Sequence, residues 1–321
     1  MNDDCVELGP LGSIYDYTYT GEISEGAFGV VFKGQNKAGQ TVAIKKLKVS
    51  NNHFHSTHTR EIQNLRALDH KNIIRLLEIA TNKTHDKFLV FEYCPVDLKT
   101  VISEISCIGL PVVKRIVRDL FDGLKYVHSK GIIHRDIKPD NVLIDQEGNV
   151  KIADLGSSRL LRKEHSYTPG MVTLRYRAPE IFLGSTSYGP EIDMWSCACL
   201  MTELILGKAL LDGTSELEQI DRMCSVLGSP TPDNWPDLLS LPNAKSLCFP
   251  QQPHNLLKKH VPNLTESAYH LLEKLFSYNP GSRLSALEAF EHQFFEEEPL
   301  PAKNALLSLD FVESSPLNCK L

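Results

Sequence analysis

The chain has 321 residues, a hydrophobic share of 42% and a formal net charge of −6, so it can bury a large core and is long enough for two lobes. An acidic balance without a lysine-arginine run excludes a polyanion-binding surface, and nucleic acid is not an expected partner. Its eight cysteines (Cys5, Cys94, Cys107, Cys197, Cys199, Cys224, Cys248, Cys319) show neither a C-x-x-C pair nor zinc spacing, which fits free thiols in a reducing compartment.

The first residues, MNDDCVELGP, are acidic and have no apolar core of the signal-peptide kind. From Tyr17 to about Phe91, short β-branched runs punctuated by Gly26, Gly29, Gly34 and Gly39 predict an antiparallel sheet. One helical window interrupts it, where His58, Glu61, Leu65 and Leu68 recur at three- and four-residue intervals. Beyond Tyr93 the pattern turns helical. Val113, Val117, Leu120, Leu124 and Val127 form one stripe that Gly131 should stop. Glu191 to Leu206 is apolar nearly all round, as a helix in the middle of a lobe must be. The most apolar stretch, Cys197 to Leu211, is broken by Glu203 and Lys208 and is too short to span a bilayer. A soluble, intracellular protein is expected. Gly228 to Pro253 reads as an irregular surface excursion, and the tail after Phe295, with Glu296 to Glu298, Pro299, Pro301 and Pro316, as a loose extension. The expectation is an α+β chain, a strand-rich lobe followed by a larger helical one, with no internal repeat.

Four stretches carry chemistry. ISEGAFGVVFKG (Ile23 to Gly34) approaches the phosphate-covering pattern G-x-G-x-x-G-x-V, with Ser24 at the first glycine; alone it reads equally as a turn between strands. In TVAIKK, two-residue alternation puts Ala43 and Lys45 on one face. Lys45 can then reach phosphates under the loop while Ala43 touches a base. Taken alone, an exposed strand lysine is the plainer reading, as is a solvated helix face for Glu61. IIHRDIKPDNVLI is harder to dismiss: Asp136 can accept a hydrogen bond from a substrate hydroxyl, Asn141 offers an oxygen to Mg²⁺, and Lys138 adds positive charge where a transferring phosphoryl group is negative. KIADLG then supplies Asp154 as a hard oxygen ligand and Gly156 for a sharp turn, and YRAPE follows at Tyr176 to Glu180.

This ordered set resembles the eukaryotic protein kinases over roughly Tyr17 to Phe295. The resemblance implies a protein-kinase-like bilobal α+β fold: an extension at 1–16, a kinase domain at 17–295 with an N-lobe at 17–92 and a C-lobe at 96–295, and a tail at 296–321. It implies ATP and Mg²⁺ as cofactors and protein substrates. Asp136, Lys138, Lys45 and Thr173 become the catalytic set, and Asn141 and Asp154 the metal ligands. The nucleotide would be held by Ile23, Ser24, Glu25, Gly26, Ala27, Phe28, Gly29, Val30, Val31, Ala43, Lys45, Glu61, Phe91, Glu92, Cys94, Asp97 and Leu143, with the Glu92 carbonyl and Cys94 backbone on adenine and Asp97 at the ribose edge. Close backbone approach matters most at Gly26 and Gly29, which are kept, so the loop should work with serine at position 24. Leu155, where phenylalanine is usual, keeps apolar volume and loses aromatic area. Leu65, Leu76, Leu155 and His134 would stack between the lobes, while Asp193 and the Glu180–Arg283 pair would be internal polar struts.

FEYCPVDLK and SYTPGMVTLRYRAPE resemble the cyclin-dependent-kinase-like branch. Thr168 then falls at an activating phosphothreonine, with Arg60, Arg135 and Arg159 where that branch gathers guanidiniums around the phosphate. Arg177 falls where a backbone carbonyl, here that of Val172, is turned away from the substrate residue that follows the acceptor. That arrangement favours proline and implies Ser/Thr-Pro substrates. STHTRE is similar to the cyclin-facing PSTAIRE helix, but Thr59 replaces the pocket-filling isoleucine, so a cyclin or another activating subunit is implied with weakened docking. Ala27 and Phe28 replace an inhibitory threonine-tyrosine pair, and Arg175 replaces the usual tryptophan. Thr168-Pro169 is itself a Ser/Thr-Pro site. Among subfamilies, EEEPLPAKNALL and GAFGVVFKG resemble the cell cycle-related kinase lineage, which implies the cytoplasm, nucleus or cilium, with the CDK-activating kinase next. The rival readings are a mitogen-activated-kinase-like enzyme, which should carry Thr-x-Tyr where Tyr167 directly precedes Thr168, and an idle nucleotide-binding scaffold.

Overall fold

A computed structural model of the chain describes residues 10–26, 29–47, 56–105, 107–161 and 173–305, with backbone alone at 25–26 and 56–60. The upper lobe is a six-stranded sheet of β1 (Gly12–Ser13), β2 (Tyr17–Gly26), β3 (Gly29–Asn36), β4 (Thr41–Leu47), β5 (Leu76–Thr81) and β6 (Lys87–Glu92), in the spatial order β1-β5-β6-β4-β3-β2. All its pairings are antiparallel except β1 with β5. That exception lies ahead of residue 17, where the sequence pattern starts the lobe: Gly12 pairs with Ala80, and Ile14 is buried in the sheet's apolar core.

The alternation in β4 divides its faces as expected. Val42 and Ile44 pack with Ala80, Phe88 and Val90, while Ala43 packs with Ile23 on the side that carries Lys45. Between β4 and β5 runs α1 (Ser56–Ala67), which buries Ile62 and Leu65.

Chain passes to the lower lobe through β7 (Val96–Asp97), which pairs with β9 (Val142–Ile144), and β9 pairs with β10 (Val150–Ile152). Two helices precede that pair in sequence, α2 (Leu98–Glu104) and α3 (Leu110–Ser129). Pro111 opens α3, where its missing N–H costs nothing, and Gly131 at φ +67° follows its end, as predicted. The short strand β8 (Ile132–Ile133) pairs with β11 (Arg159–Leu160) and frames the segment between them. Beyond α4 (Pro179–Phe182), α5 (Glu191–Leu206) runs through the lobe's centre with Trp195, Cys197, Ala198, Leu200 and Met201 fully enclosed, and ends at Gly207 in the left-handed region. On it pack α3 and α8 (Glu266–Leu275); α9 (Ala286–Phe290) packs on α3, and α6 (Glu216–Leu227) and α7 (Leu257–His260) join the same apolar core.

Two irregular segments are better anchored than their composition suggests. The proline-rich excursion inserts Trp235, which stacks on Tyr278 at a ring separation of 6.3 Å. The tail, expected to be loose, lies against α3 as far as residue 305: Ala302 N–H donates to the Pro111 carbonyl at 2.8 Å and Ala305 N–H to that of Gly148 at 2.9 Å. Lys114, with 0% exposure, donates to the Glu297 carbonyl at 2.8 Å and lies 4.5 Å from the Phe294 ring centroid. A buried ammonium needs an acceptor, and the tail backbone supplies one. Proline runs carry no helical period that would have announced this docking.

Candidate active site

Between the lobes lies a cleft of about 380 Å³. Its roof is the β2–β3 hairpin. Gly29 has φ +151°, and a Cβ there would stand 2.1 Å from the Lys46 carbonyl oxygen, so the backbone fits only as glycine. Ser24, by contrast, is in extended strand and lines the cleft without needing a glycine's freedom. Val31 and Ala43 from the roof, Leu143 from the floor and Phe91 at the back form an apolar slot closed by Glu92 and Cys94. Burial pushes the Cys94 thiol well above its ordinary range, so it is a packing group rather than a nucleophile.

At the inner end, Lys45 Nζ lies 2.6 Å from Glu61 Oε1 and 3.7 Å from Asp154 Oδ1. Burial opposes the ammonium charge, but the two carboxylates more than offset it and hold the Lys45 pKa above its ordinary value. Both plain readings of the sequence give way here: Lys45 is drawn into the cleft, and Glu61 has 2% exposure. Beneath α1, Leu65 and Leu155 share one apolar cluster with Leu76 packed against it.

The acceptor side is built on the segment after β8. Asp136 Oδ2 takes hydrogen bonds from Lys138 Nζ at 2.7 Å and Asn141 Nδ2 at 3.0 Å, and Oδ1 takes one from the Thr173 hydroxyl at 2.9 Å. Asn141 Nδ2 also reaches the Asp136 carbonyl at 2.8 Å. His134 is enclosed: Nε2 meets the Ala153 carbonyl at 3.0 Å, so it carries the proton, and Nδ1 accepts from Asp136 N–H. It is a packed histidine, as read from sequence. Below it, Asp193 accepts the backbone N–H groups of His134 and Arg135 at 2.9 and 2.8 Å and pairs with His128 Nε2 at 2.9 Å. These contacts fix Arg135 at φ +72°. Burial would raise the Asp193 pKa, but His128, His134 and the Arg135 N–H pull it below the ordinary value. Glu180 and Arg283 form a buried bidentate pair with both contacts at 2.6 Å.

The residues present fit a nucleotide and a divalent cation. Asn141 spends its amide nitrogen on Asp136, which leaves its carbonyl oxygen for a ligand, and Asp154 offers its carboxylate from the same cleft wall. Among the described residues no group of three His, Cys, Asp or Glu side chains could hold a metal alone. Two oxygen ligands completed by phosphate and water are what Mg²⁺ tolerates.

Not every expected residue is brought together. Val30 pairs with Lys46 within the sheet and is not on the cleft lining. Asp97 is also absent from the lining: with 2% exposure, it caps α2 by accepting Thr100 N–H at 2.6 Å. Ala27, Phe28, Thr168 and Val172 lie outside the described residues, as do the side chains of Glu25 and Arg60. Arg159 is described, on β11, with Nη1 donating to the Ser158 carbonyl at 2.9 Å. Sequence reasoning missed Ile74, Asp140 and Ala153 on the lining. It also missed Glu216, whose carboxylate pairs with Arg177 Nη1 while the guanidinium lies 5.1 Å from the Phe182 ring centroid. Ala153 had a signal, its place directly before Asp154; Glu216 had none.

A family model for the protein kinase domain matches residues 17–295. The serine/threonine-protein kinase ppk23 of Schizosaccharomyces pombe is 40% identical over 302 residues, covering 92% of this chain and 76% of that protein. In Dictyostelium discoideum, a probable cyclin-dependent kinase 10 is 40% identical over 91% of this chain and 82% of its own length, and cyclin-dependent kinase 11 is 38% identical over 89% and 81%. The bilobal cleft, the motif order and these relatives agree: the chain belongs to the protein kinase family, among the cyclin-dependent-kinase-like serine/threonine kinases.

Proposed function

We propose that this serine/threonine kinase transfers the γ-phosphoryl group of Mg²⁺-bound ATP to a Ser or Thr followed by Pro, releasing ADP. The observation that carries the catalytic part is the set of three donors converging on Asp136. They hold its carboxylate ready to accept the acceptor's hydroxyl proton while the hydroxyl oxygen bonds to phosphorus and the bond to the ADP oxygen breaks. Lys138, 2.7 Å from Asp136, stands where the transferring group's charge is met, and Lys45 holds the phosphates with Glu61 behind it. Asn141 and Asp154 would hold the cation, which would supply charge neutralisation to the phosphates.

Proline selectivity rests on the sequence match at Arg177 and Val172. Activation rests on Thr168, whose phosphate Arg60, Arg135 and Arg159 would gather. Thr168-Pro169 makes phosphorylation of one copy by another part of the same proposal: an Asp136→Asn chain expressed alone should lack that phosphate, and full phosphorylation of it would end the idea. A cyclin is the proposed partner class, with docking weakened at Thr59, and the cell cycle-related lineage with a cytoplasmic, nuclear or ciliary place is the proposed setting.

The test is ATP-dependent phosphorylation of matched Ser-Pro and Ser-Ala peptides beside an Asp154→Ala control. Incorporation into Ser-Pro alone, lost in the control, is expected; equal use of both peptides would remove proline direction. Affinity purification of the intact protein asks whether a cyclin comes with it.

A further inference from the structure

Glu61 and Asp154, the two carboxylates beside Lys45, belong to different elements, and each can serve a nucleotide only if those elements keep one register. Asn64 lies one helical turn after Glu61 on α1, so both face the same side. Its Nδ2 donates to the hydroxyl of Ser158 at 2.8 Å, and both residues are buried. That hydroxyl in turn donates to the Leu155 carbonyl at 2.5 Å, and Ser158 N–H donates to the same oxygen at 3.1 Å, which closes the turn directly after Asp154. The circuit is complete: Lys45 to Glu61, along α1 to Asn64, across to Ser158, back through the turn to Asp154, and 3.7 Å to Lys45. The turn also packs directly under Glu61: a Cβ on Gly156 would lie in ordinary contact with Glu61 Oε2, at 3.7 Å.

We infer that Asn64 and Ser158 form a positioning pair that ties α1 to the Asp154 turn and so sets the geometry with which Lys45, Glu61 and Asp154 receive nucleotide. This rests on the reading of that cleft as the ATP site. An apolar contact at this place would tolerate sliding of α1 over the turn. A buried amide facing a hydroxyl does not, because the Asn64 N–H meets the Ser158 oxygen in one register and is left desolvated without it in others.

The test compares Asn64→Leu, Ser158→Ala, the double variant and Ser158→Thr with wild type. The readouts are KM for ATP, KM for a Ser-Pro peptide and kcat; Kd for a non-hydrolysable ATP analogue with Mg²⁺ by calorimetry; and Tm. Each single apolar variant should raise ATP KM and analogue Kd about fivefold, the size of one lost hydrogen bond, and leave peptide KM unchanged. The double variant should lose less than the product of the singles, and Ser158→Thr, which keeps the hydroxyl, should bind the analogue as wild type does. Analogue Kd within twofold of wild type in both singles, whatever Tm does, would assign a structural role only and overturn the inference. So would losses that multiply in the double variant. Analogue binding needs no acceptor, so a wild-type chain that binds analogue but leaves Ser-Pro peptides untouched would end the proline-directed reading while Kd still decides the role of the pair.

Discussion

Two buried carboxylates anchor the two halves of the cleft, and they are held in opposite ways. Asp193, with 1% exposure, takes its hydrogen bonds from two successive backbone amides and the ring of His128, all within the lower lobe. Glu61, with 2% exposure, meets the end of a long lysine side chain from β4, and the next link, Asp154, belongs to the turn after β10. The acceptor side is therefore bolted to α5, the most enclosed helix, while the phosphate side is assembled from a strand, a helix and a turn that come from separate parts of the chain. Preorganisation of the proton-accepting group costs nothing at each turnover. The nucleotide side is where adjustment of α1 can tune activity.

The sharpest way to break this contrast is chemical. Asp136→Asn keeps the size of the side chain and removes the proton acceptor, so kcat on a Ser-Pro peptide should fall by roughly three orders of magnitude, with ATP-analogue Kd unchanged. A fall in analogue affinity of similar size would mean that the two sides are not separable.

Asp193→Asn attacks the bolt itself. An amide cannot accept as many N–H groups as a carboxylate, and about 3 kcal/mol of stability should be lost at neutral pH, read by denaturant unfolding. The pH dependence follows from the lowered pKa of Asp193, ordinarily 3.8. A depressed carboxylate contributes stability that is fully present above its unfolded value and is lost as pH falls through the folded one. The gap between wild type and variant should hold at neutral pH and close progressively below about pH 4. A gap that persists unchanged to pH 2 would show that the carboxylate charge is not what the amides hold.

Much of the site was legible in the sequence because its chemistry demands particular atoms at fixed spacing. Asp136, Lys138 and Asn141 sit within six residues, and Asp154 follows one short hairpin later. Periodicity revealed β4's faces and the enclosed α5, since burial on one face or all round leaves a repeat. What stayed hidden is pairing across the chain. Asn64 and Ser158 are 94 positions apart, Arg177 and Glu216 39, and Lys114 and Glu297 183. Each of these residues is an ordinary polar side chain on its own element, and nothing local marks its partner. Asp97 shows the converse: its place in a familiar motif suggested the ribose, while its carboxylate serves the first turn of α2.

Arg177 extends the comparison to substrate choice, since it stands four residues after Thr173, the residue that reaches Asp136, and is braced by Glu216 and Phe182 from the lower lobe. Arg177→Ala should reduce the ratio of kcat/KM for Ser-Pro over Ser-Ala peptides by about tenfold, or 1.4 kcal/mol, with ATP KM constant. An unchanged ratio would remove Arg177 from the proposed proline selectivity.

Two positions within the nucleotide roof should differ sharply, and the second carries the smallest effect expected. Gly29→Ala drives a methyl to 2.1 Å from the Lys46 carbonyl at φ +151°, so β3 must shift, and ATP-analogue affinity should drop by an order of magnitude or more. Ser24→Gly removes a side chain from a strand position without positive φ, where glycine brings no needed conformation and adds roughly 0.5–1 kcal/mol of backbone entropy to be lost on ordering. Analogue Kd should then stay within about threefold of wild type, on the weaker side. A clear gain in affinity would mean that the serine at this edge holds the roof away from the phosphates, and that the first glycine of such a loop acts through its missing side chain rather than its backbone.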